Sequence, residues 1–86
     1  MKAKLNDGFE VEIIDSSLDD WEFLELLDEV DQGNAGAVVR VARFLLGSDG
    51  VKDLKAHLKE GGKVSAEKMV SALTELMESV SAVKNS

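Results

Sequence analysis

The sequence predicts an α+β fold that is mostly α: an N-terminal β-hairpin followed by a bundle of about four helices. Three observations predict it. Residues 2–14 alternate apolar and charged side chains around the turn signal Asn6-Asp7-Gly8. From Leu18 onward, apolar residues recur at helical spacing. Breaks at Gly33-Asn34, Gly47 and Gly61-Gly62 then divide that stretch into pieces of ordinary helix length. Composition does not change along the 86 residues, so residues 1–86 read as one domain.

The hairpin's register can be argued from side-chain pairing. A two-residue turn at Asp7-Gly8 would set Leu5 against Glu10 and Lys4 against Val11, apolar against charged on both faces. A three-residue loop, Asn6 to Gly8, instead sets Leu5 against Phe9, Ala3 against Val11 and Met1 against Ile13. It also opposes Lys4 to Glu10 and Lys2 to Glu12. Every cross-strand pair then matches, which is how register is specified. Gly8 takes the left-handed position of such a loop. A lone hairpin is marginal in water, so its apolar face must pack on the helices.

Helix one is predicted over 18–31, with Ser17 as N-cap and Asp20 three residues on. Leu18, Trp21, Leu24, Leu27 and Val30 form its expected buried face, joined by Phe23 and Leu26, while Glu22, Glu25 and Glu29 form an acidic stripe. Helix two, 35–46, is apolar around well over half its circumference, with only Gly36, Arg40 and Arg43 as a polar stripe. Such a helix belongs at the centre of a bundle or in an interface. Helix three, 51–60, follows Ser48-Asp49-Gly50 with a narrow stripe of Val51, Leu54 and Leu58. Helix four, 65–83, is capped by Ser65 and carries Met69, Leu73, Leu76, Val80 and Val83 as an amphipathic seam flanked by Val70 and Met77. Lys84-Asn85-Ser86 reads as a frayed end.

Charge and composition narrow the function. The net charge of −7 argues against nucleic-acid binding, which needs clustered Lys and Arg. No Lys or Arg lies between Leu5 and Val39, where most of the acids fall; most of the base is in the second half. That asymmetry suits contact between the halves, between copies, or with a basic partner. The start has no central apolar run of a signal peptide, and no apolar run is long enough for a membrane span. A cytoplasmic location is the expectation. Without cysteine, neither a disulfide nor a thiolate zinc site can brace this small domain, so oligomerisation is a reasonable source of stability.

Nothing in the chain assembles catalytic chemistry. It has one His, no Cys and no Tyr, and His57 has no nucleophile or paired carboxylate near it in sequence. The acids Asp19, Asp20, Glu22, Glu25, Asp28, Glu29 and Asp31 lack calcium-loop spacing, and no Glu-x-x-His pair is present. A solvated face or a partner surface is the expectation, with Arg40 and Arg43 or a partner's basic residues lying against the stripe. Asp15-Ser16-Ser17-Leu18-Asp19 resembles the phosphopantetheine site of acyl carrier proteins. However, Ser16 stands where those carriers have Asp directly before the serine, and a strand pattern precedes it, so the carrier reading is set aside. No catalytic, metal or cofactor residue is assigned; the chain is expected to bind proteins and not to be an enzyme.

With the segments in place, the chain resembles the short tail assembly chaperones of long-tailed phages and prophages of Gram-positive bacteria. The resemblance rests on Asp7-Gly8-Phe9-Glu10-Val11-Glu12-Ile13, on Asp20-Trp21-Glu22-Phe23-Leu24-Glu25-Leu26-Leu27, and on Asp31-Gln32-Gly33-Asn34. It continues in Phe44-Leu45-Leu46-Gly47, Leu54-Lys55-Ala56-His57-Leu58, Val64-Ser65 and the Val83-Lys84-Asn85-Ser86 ending. It covers nearly the whole chain as a pattern of packing and turns. It implies a protein that coats the apolar tape measure protein before tail tube subunits polymerise around it, in the host cytoplasm, often as a homo-oligomer. In many phages a frameshift also yields an extended form that recruits tube subunits.

A holdase needs spare apolar surface, and helix two has more than one face can hide. The expected partner-facing residues are Val39, Phe44, Leu46, Met69 and Met77, with Glu22, Glu25 and Glu29 as the acidic component. The competing reading of the apolar set is that it closes the core. The competing function is an acidic interaction module such as a nucleic-acid mimic that blocks a DNA-binding protein.

Overall fold

The computed structural model describes the backbone of residues 1–84 and the side chains of residues 1–80. Asn85 and Ser86, expected in the frayed end, lie outside the described residues, as does the side chain of Val83. The elements are β1 (Lys2–Lys4), β2 (Glu10–Glu12), a 3-10 turn (Asp15–Asp19), α1 (Trp21–Asp31), α2 (Ala35–Leu58) and α3 (Ala66–Lys84). The fold is therefore mostly helical with a short antiparallel hairpin at its start.

The hairpin has the register that pairing demands: Lys2 faces Glu12, Ala3 faces Val11 and Lys4 faces Glu10. Leu5 N–H donates to the Phe9 carbonyl at 2.8 Å and Gly8 N–H to the Leu5 carbonyl at 3.0 Å, closing the three-residue loop with Gly8 at φ 97°. Ala3, Leu5, Val11 and Ile13 point into the core, while Lys2, Lys4, Glu10 and Glu12 point out. The inner face lies across the helices, β1 toward α3 and β2 toward α2.

The entry to helix one departs from expectation. Ser17 is not an N-cap. It sits in the 3-10 turn, buried, and its hydroxyl donates to the Phe44 carbonyl of α2. Asp20 takes the capping role instead, its carboxylate accepting from the Glu22 N–H at 2.8 Å, so α1 starts three residues later than 18. A serine already committed to a tertiary hydrogen bond cannot also serve the first turn of the helix.

Expected helices two and three follow one another across a kink as the two arms of α2. Asn34 caps it, accepting from Gly36 N–H at 3.1 Å. Gly47 (φ 73°, ψ 173°) is non-helical and ends the first arm, where the sequence places the end of helix two. Ser48-Asp49-Gly50 opens the second arm as its first helical turn, a little before the 51 expected for helix three. Gly50 is small for a packing reason: a Cβ there would stand 2.8 Å from Leu46 Cβ and 3.5 Å from Val11 Cγ2. Gly61 and Gly62 form a left-handed turn closed by reciprocal Glu60–Lys63 backbone bonds. Ser65 then caps α3 through the Lys68 N–H at 3.3 Å.

One apolar cluster draws on both strands and all three α-helices, with Phe23, Ile13, Leu45, Leu54 and Leu76 as its largest fully buried members. α2 is central: it touches α1, α3, β2 and the 3-10 turn. Among the described residues, no helix is long and apolar enough to cross a membrane.

Candidate functional site

The seam between α2 and α3 is incompletely closed. A depression of about 360 Å³ lies between the start of α2, the arm beyond Gly47 and the start of α3; its walls include Val39, Val51, Met69 and Val70. A second, of about 450 Å³, lies between α1, α2 and α3, with Leu27, Val30, Val41 and Met77 in its walls. The two adjoin at Val38, Val70 and Leu73, which line both, and together make a two-part apolar groove. Its ends differ in charge. Arg43 and Lys55 border the first depression; Asp31 and Glu78 border the second.

The seam stays open because the helices present branched and small residues to one another along it, while two valines turn outward. Val39 is 50% exposed and Val70 is 40% exposed. An apolar groove rimmed by charge is the kind of surface that takes an amphipathic helix.

The residues expected to face a partner divide. Val39, Met69 and Met77 line this groove. Phe44 does not; its ring packs on Phe23 with centroids 5.8 Å apart, and it floors the neighbouring notch between α1 and α2. Leu46 is a correction. It is 5% exposed and belongs to the core, where it lies beside Gly50 at the end of the arm that the hairpin covers. Glu22, Glu25 and Glu29 share the notch with Arg40 and Arg43, and Arg40 reaches Glu29 at 3.8 Å. The stripe is thus faced by the arginines of α2, through one loose ion pair of the kind that contributes little by itself.

The expected buried face of α1 is also corrected. Phe23 is its fully buried residue, with Leu26, Leu27 and Val30 packed partly against the core. Trp21 is 71% exposed and Leu24 is 50% exposed. Trp21 Nε1 donates to the Glu25 carboxylate, one turn along the same outer face. With seven apolar residues between Leu18 and Val30, the helix has more than one face it could bury.

A cluster that sequence distance concealed lies at the hairpin tip. Asp7 Oδ2 stands 2.7 Å from His57 Nε2, and the imidazole stacks on Phe9 with centroids 4.2 Å apart. The Phe9 N–H, and after it the His57 ring, hold the Asp7 carboxyl below its ordinary value. On the other side of the tip, Asn6 N–H donates to Glu75 of α3 at 3.0 Å. The pair therefore pins the loop to α2 while Glu75 pins it to α3. Among the described residues, no group of three or more His, Cys, Asp or Glu side chains is placed to hold a metal.

No family model matches the chain, and neither a curated protein nor a solved structure matches it.

Proposed function

We propose that the chain is a short tail assembly chaperone of a long-tailed phage or prophage, which holds the tape measure protein soluble in the host cytoplasm without catalysis. The observation that carries this reading is the open α2–α3 groove with Val39 and Val70 turned outward. Apolar surface left uncovered on a small domain marks a partner site. An apolar groove between helices suits a long apolar helix such as the tape measure, and Met69 and Met77 give its walls adaptable side chains. The resemblance along nearly the whole sequence supplies the client's identity, and with it a relay to tail tube subunits.

Co-expression with a tape measure protein tests it. The client should be soluble and co-purify with the wild-type chain, and Val39→Glu or Val70→Asp should lose it. A client left insoluble by the wild-type chain would sink the reading. Capture of a basic DNA-binding protein through Glu22, Glu25 and Glu29 would favour the mimic instead.

A further inference from the structure

The apolar groove carries charge at its edges that the fold itself does not use. Arg43 and Lys55 border the depression of about 360 Å³, and no acid borders it. Asp31 and Glu78 border the depression of about 450 Å³, and no base borders it. All four side chains are exposed, and none forms an ion pair with another described side chain. Arg43 also borders the α1–α2 notch, but the ion pair there belongs to Arg40 and Glu29. Of the other charges on α3, Glu67, Lys68 and Glu75 line a separate cavity against the hairpin tip. Residues of α3 from Ala66 to Glu78 line the two depressions in turn. That stretch rises about 18 Å, so a helix of about three turns laid along it spans a basic edge and an acidic edge.

Building on the client reading, we propose that the groove selects a client helix by how charge is distributed along it. The preferred helix has an apolar seam, with acid concentrated toward one end and base toward the other. Its acidic end lies against Arg43 and Lys55 and its basic end against Asp31 and Glu78, which fixes the direction in which it docks. The apolar walls supply attraction for any seam that fits, but that attraction is non-directional and does not tell one end of a helix from the other. Rim charges do, because like charges brought together count against the wrong arrangement. A helix acidic or basic throughout is matched at one edge and repelled at the other.

Two synthetic helical peptides with blocked ends and the same apolar seam test this on the folded chain. One has its Glu residues in the first half and its Lys residues in the second; the other has the same residues interspersed. At low salt the segregated peptide should bind about tenfold more tightly, the sum of several exposed pairs each worth a few-fold at most. Salt of about 1 M should erase the difference, because the Debye length then falls to about 3 Å. The chain's own methionines report direction, since Met69 lies in the first depression and Met77 in the second. A spin label on the Glu end should broaden the Met69 methyl signal and spare that of Met77. In a chain carrying Arg43→Glu, Lys55→Glu, Asp31→Lys and Glu78→Lys, the same label should broaden Met77 instead. All four positions are exposed, so far-ultraviolet circular dichroism should show unchanged helicity. Equal affinity for the two peptides at low salt overturns the proposal, as does failure of both to bind. So does a label that broadens the two methyls alike, or one that keeps its place in the charge-reversed chain. A chain that keeps the tape measure soluble but does not sort the peptides loses this inference and retains the client reading.

Discussion

The hairpin and α1 are both short, both rich in acid and both amphipathic, yet they differ in how far pattern determines which side chains are buried. In the hairpin, every odd position from Ala3 to Leu5 and from Val11 to Ile13 is buried, and the even ones are exposed. Strand side chains have only two faces, and a slip of one residue would bury Lys2, Lys4, Glu10 and Glu12 together. In α1, apolar residues outnumber the positions that can face the core. Phe23 was taken in, and Trp21 and Leu24 were left out. A period of two leaves little choice. A helix with two apolar stripes leaves the choice to its neighbours.

The largest test of that contrast is on α1. Phe23→Ala should cost about 3–5 kcal/mol, the range for deleting a buried aromatic. Trp21→Ala, one turn-edge away on the same helix, should stay within about 0.5 kcal/mol. Urea titrations of the two variants at a concentration where the chain is monomeric would check both. Equal losses would mean that α1 sits with its other face inward.

The bend in α2 comes next. Gly47→Ala places a side chain at φ 73°, ψ 173°, a region that only glycine occupies freely, with Ile14 Cδ1 3.3 Å from the new methyl. The expected loss is about 1–3 kcal/mol by thermal or urea unfolding. A neutral result would show that the two arms of α2 do not need this bend.

A smaller effect separates the two candidate caps. Asp20→Ala should cost about 1 kcal/mol by removing the acceptor for the Glu22 N–H. The loss should appear as lower helicity of α1 in amide exchange. If Asp20→Ala were silent there, the helix would be starting elsewhere.

The smallest effect concerns the hairpin tip and is read by pH. The Asp7 carboxyl lies below its ordinary value of 3.8 in the folded chain. Its contribution is therefore fully present above that value and is lost as pH falls through the lower folded value. Asp7→Asn should be slightly less stable than the wild-type chain at neutral pH, and the gap should close as acid is added. A gap that did not change with pH would remove the Asp7 charge from the latch.

Much of the fold is legible in the residues themselves. The three-residue loop follows from Lys–Glu and apolar–apolar pairing, and the break at Gly33-Asn34 and the start at Ser65 follow from local backbone needs. The central place of α2 follows from its nearly continuous apolar surface. The groove was only half legible. Val39, Met69 and Met77 could be singled out as apolar excess, but Leu46 belongs to the same excess and was consumed by the core. Val39 and Leu46 lie on the same arm of α2, so what separates them is how the hairpin and α3 pack around that arm, and nothing local signals that.

By itself the sequence determined the breaks at Gly33-Asn34, Gly47 and Gly61-Gly62, which hairpin residues oppose one another, and where acid and base are concentrated. These depend on dihedral preferences, side-chain pairing and counting, all set within a few residues. Only the tertiary structure decided that Ser17 serves α2 rather than α1, that His57 meets Asp7 and Phe9, and that Trp21 stands in solvent while Leu46 does not. Each of those is a competition among distant groups for one buried volume or one hydrogen bond, and its outcome is known only once the helices are packed.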